Sequence, residues 1–144
     1  EAGDPEAFPL PTAEKVRGLD FSFAGLKTAL LYTIRDLGDE ARHVHAADLA
    51  ASFQRAVVEQ LAVRVQRALT QTGLQQLALG GGVAANGPLR ERMTSLDVPC
   101  SIPPISLCTD NAAMIASAAQ WSRVVPHDEA LRAEVYATGN GRLS

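Results

Sequence analysis

The chain has 144 residues, 47% of them hydrophobic and 20% charged, a globular composition that can bury one sizeable core as one domain or part of one. A net charge of −3 with both signs interspersed argues against a broad basic nucleic-acid footprint and leaves any RNA contact to a local patch or a partner. Cys100 and Cys108 match no CxxC pattern, no apolar run nears about eighteen residues, and no charged start leads into an apolar signal core, so a reducing cytoplasm is the expected setting rather than membrane or secretion.

Residues 1–16 read as an irregular lead-in, because Pro5, Pro9 and Pro11 forbid regular structure, and a start at Glu1 without Met reads as a cut within a longer protein. RGLDFSF (17–23) alternates Leu19, Phe21 and Phe23 with polar residues, the pattern of a short half-buried strand. Phe23, Leu26, Leu30, Ile34 and Leu37 then recur at three- and four-residue steps, predicting an amphipathic helix stopped by Gly38. Lys27 lies near the edge of its apolar stripe, as a phosphate or RNA contact or as a solvated lysine. Residues 38–47 read as a polar connection in which His43 and His45 are either a chelating pair or solvated. From 48 to 70, Leu49, Phe53, Val57, Leu61, Val65 and Leu69 repeat every fourth residue while Ser52, Arg55, Glu59, Gln66 and Arg67 occupy the other side. That predicts a long helix, with Asp48 in its first turn, Gly73 at its end, and Arg55, Arg64 and Arg67 on a solvated or nucleic-acid-facing side.

After Gly73 the rhythm is that of an α/β protein: a strand over 75–81, a helix over 87–96, a second strand over 98–102 parallel to the first, and a helix over 106–125. Leu77, Leu79, Val98 and Ile115 are expected inside, with Ala112, Ile115, Ala116, Ala119 and Val124 on the inner side of the last helix. The organisation is thus a lead-in (1–16), a strand plus helical insertion (17–73), a βαβα core (74–126) and a tail (127–144) that becomes disordered after Thr138.

The chemistry concentrates in LALGGGVAANGPLR (77–90). A strand, a glycine turn and a helix start bring backbone N–H groups to the positive end of a helix dipole, which suits an anionic ligand, while the same glycines also serve a purely structural turn. No Gly-Lys-Ser/Thr follows and the spacing fails GxGxxG, so neither phosphate fingerprint is present. Asp110 stands at the last helix start, as a cap or as a metal-binding or catalytic carboxylate. Both places lie beyond strand carboxyl ends, the edge where open α/β sheets bind ligands.

Three stretches, GLDFSFAGLKT (18–28), LALGGGVAANGPLRERM (77–93) and CTDNAAMIA (108–116), resemble in order and spacing the carboxyl-terminal part of the TsaD family, from about Gly18 to Val125. Ala24 stands where that family usually has Ser, and the tail ATGNGRLS lacks its usual Pro- and Trp-containing ending. The resemblance implies a helix-rich α/β fragment of an actin-like (ribonuclease H-like) ATPase fold with a short parallel sheet. It also implies a cytoplasmic transferase that moves a threonylcarbamoyl group from threonylcarbamoyl-adenylate to the exocyclic amine of the adenosine beside the anticodon, in tRNAs reading codons that begin with adenine. On this resemblance Asn86 contacts the adenylate, Gly81 and Gly82 allow its close approach, Asp110 is one ligand of an iron or zinc ion, and TsaB and TsaE are companions. The family's HxxxH metal motif does not occur in this sequence, so the fragment alone is expected to lose the ion and to be inactive; no residue stands out as catalytic base. A non-catalytic docking module built on the 48–70 helix, or another actin-fold phosphotransferase such as a sugar kinase, remain the alternatives, distinguished by nucleotide binding.

Overall fold

A computed structural model of the chain describes residues 3–12, 16–122 and 125–130. The chain divides into two compact units, Glu1–Thr109 and Asp110–Ser144. The first contains α1 (Ala24–Val44), α2 (Ala46–Thr72), β1 (Leu77–Ala78), a 3-10 turn (Gly82–Ala85), α3 (Gly87–Thr94), β2 (Cys100–Ser101) and a second 3-10 turn (Ile105–Leu107). The second contains α4 (Ala112–Ala119) and a single turn, α5 (His127–Ala130).

α2 is the axis of the first unit. Leu10, Leu26 and Ala56 are buried together, with Phe23, Leu30 and Phe53 packed round them, so one side of α2 meets α1 and the lead-in. Val58 and Ala62 are buried against Leu89 and Met93 of α3, with Leu77, Leu79 and Cys100 of the strands alongside. β1 and β2 pair in parallel, Leu77 opposite Cys100 and Ala78 opposite Ser101, through Leu77 N to Pro99 O (3.0 Å) and Leu79 N to Ser101 O (2.9 Å). α2 ends as expected at Gly73, which takes φ 69° and returns its N–H to Leu69 O.

Several sequence expectations need correction. Residues 17–23 form no strand, and Phe21 is exposed. With no described strand beside them, their carbonyls are taken by α2 instead: Arg64 Nε donates to Asp20 O (3.1 Å), and Arg67 Nη1 donates to Val16 O (2.7 Å) and Gly18 O (2.9 Å). The polar side of α2 is therefore only partly solvated, at Gln66. Arg64 is buried, and Ser52 and Gln60 are buried beneath the lead-in, which α2 holds by its main chain: Phe8 N donates to Ser52 Oγ (3.1 Å), Gln60 Nε2 donates to Pro11 O (3.0 Å) and Arg55 Nε to Pro5 O (2.9 Å). A side chain on Gly3 would run into the Ala47 carbonyl, so only glycine lets the lead-in approach α2 there.

Gly38 does interrupt α1, at φ 76° and ψ 172°, but the chain resumes a helical course to Val44, so 38–47 is a kinked continuation rather than a loop. The strands are far shorter than the apolar runs that predicted them, because among the described residues each has one partner and the flanking residues find no ladder. Leu77, Leu79 and Val98 are accordingly half-buried. The helix expected over 106–125 starts only at Ala112, after Pro103 and Pro104 and the 3-10 turn, and no residue of α4 is buried; Ile115 is 65% exposed. The expectations for Val124 and for disorder after Thr138 lie outside the described residues.

Candidate functional site

The glycine loop starts where β1 runs out. Gly81 takes φ 84° and ψ 173°, a region only glycine occupies without strain, and this reversal lets Ala84 N bond back to Gly81 O (3.0 Å) as the 3-10 turn closes. Gly82 has no such demand on φ, and a Cβ built on either residue meets open space. The turn delivers Asn86 to the N-cap of α3 with extended φ and ψ, and Pro88 within the first turn fixes the helical φ. Asn86 Oδ1 accepts from Leu89 N (2.9 Å), while Asn86 Nδ2 donates to Gln54 Oε1 on α2 (3.1 Å). Gly81 and Gly82 are exposed and Asn86 half-buried, so the three predicted ligand residues do form one accessible corner.

Arg90, one turn into α3, braces that corner. Its Nη1 donates to Ala84 O (2.8 Å) and Nη2 to Pro103 O (2.9 Å), with Cys108 Sγ 3.7 Å from Nη1. One guanidinium thus joins the glycine turn to the 103–108 segment. Burial pushes the Cys100 thiol up, and the Arg90 charge pulls it partly back. Sequence reading missed both the Asn86 cap and the Arg90 brace. Asn before Gly-Pro at a helix start was a visible signal for the first. Arg90 had none, since its acceptors are main-chain carbonyls.

An open cleft of about 740 Å³ lies between α2, α3 and the start of the lead-in, with Gln54 and Pro88 on its lining. Its two arginines are paired: Arg92 meets Glu59 through Nε (2.8 Å) and Nη2 (3.4 Å), and Arg55 meets Glu6 (3.3 Å). The glycine turn does not line it.

Asp110 falls in the second unit, exposed, and does not cap α4: that place belongs to Asn111, whose Oδ1 accepts from Met114 N (2.9 Å). Among the described residues no three His, Cys, Asp or Glu side chains gather as a metal site. A single carboxylate supplies at most two of roughly four ligands, so the described residues do not fit a metal by themselves. His43 is exposed, and His45 is engaged elsewhere, its Nδ1 3.5 Å from Asp48 Oδ2 and its ring edge-on to Phe8 at 5.9 Å. The Asp48 carboxyl is held below the ordinary range, first by the Asp4 N–H it accepts (2.8 Å) and then by His45. No described helix is long and apolar enough to cross a membrane.

A parallel strand pair with a glycine turn at its carboxyl end, feeding an asparagine-capped helix, defines an α/β unit with an open corner at the strand ends. Residues 1–117 match the family model described as TsaD: tRNA N6-adenosine threonylcarbamoyltransferase, and the chain belongs to that family. It is 50% identical over 141 residues to the tRNA N6-adenosine threonylcarbamoyltransferase of Symbiobacterium thermophilum, the match covering 92% of this chain and 40% of that protein. Proteins of the same name from Thermosynechococcus vestitus (45%; 83% of this chain, 36% of the relative) and Variovorax paradoxus (51%; 83% and 35%) are similar. The chain therefore spans about 40% or less of the length of these relatives.

Proposed function

We propose that this chain is the part of a cytoplasmic transferase, of actin-like fold, whose glycine corner holds the adenylate of threonylcarbamoyl-adenylate. The group is passed to the exocyclic amine of the adenosine beside the anticodon, in tRNAs reading codons that begin with adenine. The observation that carries the reading is the corner itself: Gly81 and Gly82, both exposed, and the half-buried Asn86, inside the residues matched to the family, stand together on one turn between β1 and α3. In the reaction the amine nitrogen bonds to the carbonyl carbon, the bond to the adenylate oxygen breaks, and adenylate leaves as an anion. Amides of the turn and the Asn86 side chain suit that departing charge. No residue of the chain is assigned as the base that takes the amine proton.

Asp110 is proposed as one ligand of a divalent metal, iron or zinc, whose other ligands come from outside this chain, and TsaB and TsaE as partners of the whole protein. By that reading the isolated chain is inactive in transfer. Titrating it with adenosine monophosphate, followed through the amide resonances of Gly81, Gly82 and Asn86, tests the site. Saturable shifts confined to those residues and their neighbours are expected; no shift at millimolar nucleotide would overturn the assignment.

A further inference from the structure

We infer that Gln54 is the positioning residue for Asn86, fixing the direction of the second hydrogen of its side-chain amide. An asparagine side chain carries two N–H donors and an oxygen with two lone pairs. In Asn86 one lone pair is committed to Leu89 N (2.9 Å) and one N–H to Gln54 Oε1 (3.1 Å). The two contacts pull on opposite ends of the amide. The cap decides which end is oxygen, since a flipped amide would set its NH2 against the Leu89 N–H; Gln54 then fixes the twist of the amide plane. The remaining N–H has a single direction, and it selects a ligand with an acceptor there, such as a ribose hydroxyl or phosphate oxygen. Gln54 reaches this role from α2, far away in sequence, and its own side chain borders the cleft between α2 and α3.

The inference rests on the adenylate reading of the corner, and the experiment separates the two. In the isotopically labelled chain, the Asn86 side-chain amide is observed without ligand and then with adenosine monophosphate, in the wild type and in Gln54→Ala, Gln54→Glu and Asn86→Ser. Serine keeps an N-cap acceptor but has no Nδ2. Without ligand, Gln54→Ala should abolish the slow exchange of one Asn86 amide proton while the Leu89 amide stays protected, and Gln54→Glu, which still accepts, should restore it. With nucleotide, Gln54→Ala should weaken binding about two- to tenfold, the range of one hydrogen bond of ordinary net strength, and Gln54→Glu should recover the orientation-dependent part. An Asn86 amide and a nucleotide affinity both indifferent to Gln54→Ala overturn the inference. If the wild type takes up no nucleotide, or Asn86→Ser binds it unchanged, the adenylate reading fails, and the ligand-free amide signal still decides whether Gln54 orients Asn86.

Discussion

Replacing Arg90 by Met keeps most of the stem volume and removes the guanidinium that joins the glycine turn to the 103–108 segment. Two charge-assisted hydrogen bonds to carbonyls are lost, at 2.8 and 2.9 Å, together with the contact to Cys108. Each such bond contributes about 1.5–3 kcal/mol when desolvated. Arg90 is half-buried, and the freed Ala84 and Pro103 carbonyls can in part turn to water, so the sum is discounted to about 2–4 kcal/mol. Urea unfolding of wild type and Arg90→Met measures it, and hydrogen exchange at Ala84 and Asn86 shows whether the loss is local. Lysine should recover less than half, since a point charge cannot serve two carbonyls on opposite sides. The same substitution removes the charge that draws the Cys100 thiol down, so its alkylation should require higher pH than in wild type. A loss under about 0.5 kcal/mol with unchanged exchange at Ala84 would show that the turn stands without the brace.

Gly81→Ala should cost about 1–3 kcal/mol because alanine is strained at φ 84° and ψ 173°, whereas Gly82→Ala, with open space at its Cβ, should leave the melting temperature unchanged; equal losses would contradict the turn geometry. Asp48 has a lowered pKa, so its contribution is present above the unfolded value near pH 4 and is lost as pH falls through the lower folded value. Acid titration of stability should therefore separate wild type from Asp48→Ala above about pH 4 and bring them together well below it; curves that stay parallel would refute the pairing. Metal analysis of the purified chain should find no stoichiometric iron or zinc, and one tightly held ion lost on Asp110→Ala would mean that groups of this chain complete a site.

Periodic stretches were legible where the helix itself decides the outcome. The every-fourth-residue pattern placed α2, and Gly38 and Gly73 broke or ended helices as glycines with positive φ do. Legibility failed where a distant partner decides. Leu19, Phe21 and Phe23 alternate like a strand, yet among the described residues the segment has no neighbouring strand and its carbonyls go to Arg64 and Arg67 instead. Ser52 and Arg64 read as surface residues because a helix pattern does not say what lies over its polar side, and both are buried. At the candidate site, the glycine turn was readable from local chemistry, as was the closeness of Gly81, Gly82 and Asn86. The second contact of Asn86 was not, since it crosses from α3 to α2. Asp110 beside Asn111 shows the finest limit: two adjacent capping residue types, of which the backbone geometry uses the second.

The fastening of the lead-in to α2 has a consequence for how this region can vary. The grips run from helix side chains to main-chain atoms: Ser52 to Phe8 N, Arg55 to Pro5 O, Gln60 to Pro11 O. A main-chain atom is the same whatever residue carries it, so these three grips read the spacing of the lead-in rather than its letters. Point changes that spare Gly3, the buried Leu10, and the Glu6 and Phe8 side chains that meet Arg55 and His45 leave these main-chain grips intact. Adding or removing one residue between Phe8 and Pro11 would displace the Gln60 anchor by about 3.3 Å, beyond the reach of a hydrogen bond. Tolerance to substitution and intolerance to a change of length should therefore coexist in one stretch of chain.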